Sequence, residues 1–175
     1  DEGAVQYFTN ELRRLAAELG AVSGTPVTDD RLRESIALFN ENRALLRRFY
    51  DARPTAGIAA EDAVYVFASA LTTPVEEHNA LVRELLASLS PGPPGSDVKL
   101  MLSALNIPMA VDVIRMAEKY GATVVTDDFT HNARYGSAEV PADGDPFRAL
   151  ARGYLRVVPA PGLYPFEARA VGIRD

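Results

Sequence analysis

The chain has 175 residues, no cysteine, two histidines and a formal charge of −6, with 47% hydrophobic and 24% charged residues. This length supports one well-buried core, or a helical subdomain attached to a small sheet, and the composition is that of an ordinary globular protein. The negative charge, with arginines spread among acids, sets nucleic acid aside, and the missing thiols remove disulfides, thiolate nucleophiles, cysteine-held zinc and cysteine-ligated iron–sulfur clusters. No apolar run approaches the ~20 residues that span a bilayer, and the first residues are acidic and polar, so no membrane partner is expected and a cytoplasmic location fits.

Taken in order, Val5, Phe8, Leu12, Leu15, Ala16 and Leu19 recur at helical spacing, which predicts an amphipathic helix over Val5–Leu19 stopped by Gly20. Thr28 suits an N-cap for a second helix from Asp29 to Ala52, with Leu32, Ile36, Phe39, Leu45, Leu46, Phe49 and Tyr50 turned inward and Arg53-Pro54 ending it. Asn40, Glu41, Asn42 and Arg43 interrupt that helix with polar residues, which line an interface or form a solvated face. A third helix is expected over Ala60–Leu71 and a fourth over Pro74–Leu89, where Pro74 suits the first turn and Glu76 and Glu77 favour the positive end of the helix dipole.

Residues 90–96, Ser-Pro-Gly-Pro-Pro-Gly-Ser, read as a linker between a helical part, 1–89, and a sheet-based part, 97–175. There Val98–Leu102 is a short apolar run, Val111–Tyr120 is amphipathic and Ala122–Val125 is dense in β-branched residues, together a βαβ crossover. A turn-rich loop follows over 139–146, then a short helix over Asp145–Leu155. The proline-rich segment Val157–Pro165 reads as extended surface chain, and Ala168–Ile173 as one more strand. The expected class is α/β: a helical N-terminal part followed by a partial parallel sheet.

In an open parallel sheet, ligands sit beyond the carboxyl ends of the strands. Asp127, Asp128, Thr130, His131, Asn132 and Arg134 therefore occupy the expected place of a site. Adjacent carboxylates can split their pKa values and serve as acid and base, or one can cap the loop while the other is solvated. His131 is a general base, a metal ligand or a loop histidine bonded to backbone; His78, the other histidine, belongs to a different segment. Arg134 suits a phosphate or carboxylate, or pairs with Asp127 or Asp128.

Four of these segments together carry a family resemblance. Val27–Tyr50, reading VTDDRLRESIALFNENRALLRRFY, resembles a "TDE-LR-AI-LYNENR-LLR-FYELR" helix. Val98–Ser103 resembles a strand of lysine, apolar run and small residue; Gly121–Asp128 a "GA-VV-DD" strand end; and Asp145–Leu155 a "DP-ALA-RYL" helix. All four belong to the 2-hydroxyacyl-CoA dehydratase and benzoyl-CoA reductase family, which the chain resembles over most of its length. The resemblance implies a flavodoxin-like (Rossmann-type) sheet and assembly with a related subunit as a homo- or hetero-oligomer.

In that family a cysteine in the loop after the paired aspartates, another at a later proline-flanked position, and one from an earlier domain hold a [4Fe-4S] cluster. The cluster passes an electron to a CoA thioester. Here Thr130 and Ala160 stand at the two matching positions, and neither is a thiolate. The expectation is a cluster-free dehydratase-like protein, with no cofactor and no metal on this chain, that acts on or binds an acyl-CoA or related acid. Asp127, Asp128 and His131 would be its catalytic groups, and Thr130, Asn132 and Arg134 its substrate contacts. The alternative is a non-catalytic scaffold or assembly subunit that kept a docking surface along Leu32–Phe49, or a fragment of a longer family member.

Overall fold

The computed structural model describes residues 2–93, 95–103, 107–129, 132–137, 139–141 and 143–156, without the side chains of 107–109. In chain order the elements are α1 (Glu2–Ser23), α2 (Asp29–Ala52), α3 (Ala60–Ser69), α4 (Val75–Ser88), β1 (Lys99–Leu102), α5 (Ile107–Lys119), β2 (Thr123–Asp127), α6 (Ala133–Ser137) and α7 (Pro146–Arg156). The described residues are mostly helical, with a small two-stranded parallel sheet, which is an α/β architecture. The expected strand at Ala168–Ile173 and the extended segment Val157–Pro165 lie outside the described residues. No helix among the described residues is long and apolar enough to cross a membrane.

By contacts the described chain gathers into two compact units, one from 2–41 and 139–156, the other from 42–137. In the first, α1 packs along α7. Ile36, Val140 and Ala149 form its buried cluster, with Leu32 and Leu150 against it. Gly20 does not stop α1, which continues to Ser23. The left-handed turn that ends it falls at Gly24, with φ 69°, just before Pro26 removes a backbone donor. Only Val5 and Thr9 of α1 are buried, and the Thr9 hydroxyl donates back to the Val5 carbonyl at 2.7 Å. Leu15 and Leu19, expected inward, are about half exposed.

Helix α2 begins where its cap demands. The Thr28 hydroxyl accepts the Arg31 amide at 3.3 Å, and Asp29 and Asp30 lie in the first turn at the positive end of the dipole. Ile36, Leu45, Leu46 and Phe49 are buried as expected, but Phe39 is exposed. The polar run is solvated only at Glu41: Asn42 and Arg43 are buried, and the half-buried Asn40 exchanges two hydrogen bonds with the backbone of Val140.

In the second unit β1 and β2 pair in parallel, Lys99 with Thr123, Leu100 with Val124, Met101 with Thr126 and Leu102 with Asp127, with an irregularity between Leu100 and Met101. Helix α5 is the crossover, as the βαβ pattern predicts. One face of the sheet is sealed by Ala60, Val64, Ala110, Val111, Ile114, Val124 and Phe129, with Leu100, Leu102 and Ala117 against them. Burying Val64, Ile114, Val124 and Phe129 contributes on the order of 6–12 kcal/mol before conformational entropy is charged. A second cluster of Leu45, Leu46, Phe49, Ala63, Phe67 and Val82 joins α2, α3 and α4.

Around Gly92 the expected linker is anchored to the turn after α2. The Gly92 amide donates to the Thr55 carbonyl at 2.9 Å, and a Cβ on Gly92 would stand 2.5 Å from the Ala56 oxygen. Only glycine permits that approach of two backbones.

Candidate functional site

Strand β2 runs into its own cap. The Asp127 Oδ1 atom accepts the Phe129 amide at 2.9 Å, an Asx turn that folds the chain sharply at the strand end. Its Oδ2 accepts the Tyr50 hydroxyl at 2.5 Å and the Asn132 side-chain amide at 3.1 Å. Phe129 is anchored in the core beneath the sheet. Beyond it the Asn132 amide donates to the Phe129 carbonyl at 3.2 Å and the Gly136 amide to the Asn132 carbonyl at 3.1 Å, which starts α6. The described part of the expected polar loop is thus an Asx turn at Asp127–Phe129 and a short helix from Ala133.

Asp128 faces differently. Its amide donates to the Leu102 carbonyl at 3.0 Å and so ties the turn to the end of β1. Its carboxylate forms an ion pair with Arg134 at 2.9 Å, and both side chains are almost fully buried. Neither aspartate is therefore solvated: one caps the turn and the other pairs. The Arg134 Nε and the Asn132 Oδ1 are buried and have no hydrogen-bond partner among the described residues. Asp127, Asp128, Asn132 and Arg134 are thus brought together. Thr130, His131 and Ala160 lie outside the described residues.

One side of α2 cradles this segment at four points. The Arg43 guanidinium lies 5.7 Å from the Tyr135 ring centre, Arg47 donates to the Gly136 carbonyl at 2.5 Å, and Tyr50 donates to Asp127. Arg53, just past the helix end and fully buried, donates to the carbonyls of Val124 at 2.8 Å and Val125 at 3.1 Å. Its guanidinium also lies 5.3 Å from the Tyr50 ring centre. Burial, together with the charge and hydrogen bond of Asp127, pushes the Tyr50 phenol well above the ordinary tyrosine range. Tyr50, placed in the core by its periodicity, does pack there against Phe67, but its hydroxyl serves the turn. Sequence reasoning missed Arg47, Arg53 and Phe129. The signal was present in Arg43, Arg47, Tyr50 and Arg53 recurring at helical spacing beside the apolar positions 45, 46 and 49.

His78 belongs elsewhere and is structural. The Asn42 amide nitrogen lies 2.6 Å from its Nδ1 and 2.7 Å from the Asn79 Oδ1. With that nitrogen donating, the ring proton falls on Nε2, which faces the Ser69 hydroxyl at 3.1 Å and the Val66 carbonyl at 3.3 Å. The cluster joins α2, α3 and α4.

Helix α2 is also not the open apolar surface that a docking role would need, since Leu45, Leu46 and Phe49 are buried in the core of the second unit. Among the described residues no cluster of three or more His, Asp or Glu side chains is grouped as a metal site would require.

The whole chain, residues 1–175, matches a family described as "2-hydroxyglutaryl-CoA dehydratase, D-component". A benzoyl-CoA reductase subunit of Thauera aromatica is 29% identical over 160 residues, which cover 89% of this chain and 42% of that protein. The beta subunit of lactoyl-CoA dehydratase from Anaerotignum propionicum is 27% identical over 167 residues, 89% of this chain and 43% of the relative. The (R)-phenyllactyl-CoA dehydratase beta subunit of Clostridium sporogenes is 22% identical over 156 residues, 87% and 42% respectively. The chain therefore spans less than half the length of the curated relatives it matches.

Proposed function

The chain belongs to the 2-hydroxyglutaryl-CoA dehydratase D-component family, and from that premise we propose that it forms part of a dehydratase-like subunit that binds an acyl-CoA thioester or related acid. The carrying observation is the match along all 175 residues, the segment around Asp127 and Asp128 included. Two of the relatives are named as dehydratase beta subunits and a third as a reductase subunit, which supports a hetero-oligomer with a related subunit. The β1–α5–β2 crossover fits a flavodoxin-like sheet, in which the strand ends face the ligand.

Within this reading Arg134 and Asn132 contact the substrate. The Arg134 Nε, a donor, and the Asn132 Oδ1, an acceptor, are buried without a hydrogen-bond partner among the described residues, which supports a polar ligand here: the donor suits a carboxylate or thioester oxygen and the acceptor a substrate hydroxyl. Thr130, as expected from the sequence, adds a hydroxyl to the substrate contacts. His131 and Asp128 are the groups that exchange protons with the substrate, Asp128 from within its ion pair. Asp127 is committed to holding the turn, since three donors already occupy its carboxylate.

The family's [4Fe-4S] cluster does not fit the donors of this chain. Cluster ligation draws on thiolates, the sequence has no cysteine, and the matching positions carry a threonine hydroxyl and an alanine methyl. No step is routed through a cluster here. Anaerobic reconstitution with iron and sulfide is expected to leave the protein colourless, and a stable brown species with a visible absorbance shoulder would overturn the cluster-free reading. Calorimetric titration with lactoyl-CoA is expected to give saturable binding. Absence of heat at several temperatures would remove the acyl-CoA reading itself.

A further inference from the structure

We infer that Tyr50 is a positioning residue for the turn after β2, its hydroxyl clamping Asp127 so that the turn presents Asn132 and Arg134 in one fixed arrangement; as a statement about substrate binding this rests on the function proposed for the site.

The geometry carries the inference in three steps. First, Asp127 is the hub of the turn: its carboxylate accepts from the Phe129 amide on one side and from the Asn132 side chain on the other, and so links these two residues. Second, of its three donors among the described residues, only Tyr50 comes from outside the turn, on a helix 77 positions away in sequence, at 2.5 Å. The Asp128 amide and the buried Phe129 ring tether the turn to β1 and to the core, and Tyr50 adds an outside tether at the carboxylate itself. Third, the phenol is itself held rigidly. Its ring meets Phe67 edge to face with centres 5.8 Å apart, and the Arg53 guanidinium sits near it while bonding the carbonyls of Val124 and Val125 in β2. The strand and its turn are thus fastened to one helix end by two neighbouring side chains, Arg53 before the turn and Tyr50 within it. A hydrogen bond to a charged acceptor in a buried place is strong enough to decide a local conformation.

Tyr50→Phe removes only the oxygen and keeps the ring in its core, so the full chain should remain folded. Hydrogen exchange is the first readout. The Phe129 and Asn132 amides, bonded within the turn, are expected to exchange about tenfold faster in the variant, while amides of α3 and α4 are unchanged. In an Asp127→Asn background the same substitution should add less than about twofold, because the acceptor it served has been altered. Uniform exchange across the unit, or unchanged exchange at both amides, would overturn the inference. The second readout is lactoyl-CoA affinity, expected to weaken about tenfold in Tyr50→Phe through Asn132 and Arg134, and full affinity alongside loosened amides would overturn the link to binding. If the parent protein does not bind lactoyl-CoA, the acyl-CoA reading fails, and the exchange data still decide the role of Tyr50.

Discussion

Replacing Arg134 by alanine tests the buried centre of the site most directly. Arg134 and Asp128 are 2.9 Å apart, with side chains 5% and 9% exposed, so solvent screens them little. At roughly 4 Å between charge centres and an effective dielectric near 20, their attraction is about 4 kcal/mol. Withdrawing two charges from water costs several kcal/mol per ion, so the pair as a whole contributes little net stability. Removing one partner is different, because the other charge stays buried and loses the guanidinium that faces it at 2.9 Å. Arg134→Ala is therefore expected to cost about 3–5 kcal/mol, a large part of the roughly 5–15 kcal/mol that holds a domain folded. The assay is urea unfolding followed by circular dichroism. With a slope near 2 kcal/mol/M, the midpoint should fall by about 1.5–2.5 M. The double variant Asp128→Leu with Arg134→Met should recover most of that loss, since both buried charges are removed together. A single-variant loss below about 1 kcal/mol, or a double variant as unstable as the two single losses added together, would refute the reasoning. The double variant also separates folding from binding: stable but unable to take lactoyl-CoA is the expected result.

Three further outcomes follow from the geometry. Gly92→Ala should destabilise the second unit by about 3 kcal/mol, the upper end for overpacking, because the new Cβ meets the Ala56 carbonyl rather than a side chain that can move; a melting temperature within error of the parent would show that segment 90–96 yields freely. Thr28→Ala should cost about 1 kcal/mol by freeing the Arg31 amide, and Thr28→Ser should restore most of it; equal stability of all three proteins would mean the cap is idle. Ionising Tyr50 is harder in the fold than in the unfolded chain, whose tyrosine value is near 10.0. Its contribution to stability is therefore fully present below about pH 10 and is lost as the pH climbs above it. Tyr50→Phe should flatten that alkaline fall between about pH 10 and 11.5, measured as unfolding midpoints against the parent. Parallel curves would count against the clamp.

The two strands and the crossover between them were legible because they are local. Val124 and its β-branched neighbours alternate in a short run, and the amphipathic α5 precedes them, so the pattern needs no distant partner to be read. The start of α2 was legible for the same reason, since Thr28 caps its own helix three residues on. Leu15 and Leu19 misled because periodicity reports an apolar face without reporting whether anything covers it. Gly20 misled because a glycine marks this kind of helix stop where the backbone turns left-handed, and that turn falls at Gly24.

The sequence by itself determined the longer helices, the strand pair, the absence of thiolates and the proposed place of a site beyond β2. Each of these depends on residue type or on spacing within a few turns of chain. Only the tertiary structure decided that Asp127 is a hub, that Asp128 pairs with Arg134, and that α2 supplies the clamp through Tyr50 and Arg53. Those roles rest on contacts such as that of Arg53 with Val124, 71 positions apart, which no local pattern encodes. Burial makes them consequential, since a carboxylate or guanidinium withdrawn from water must find its partner within the fold.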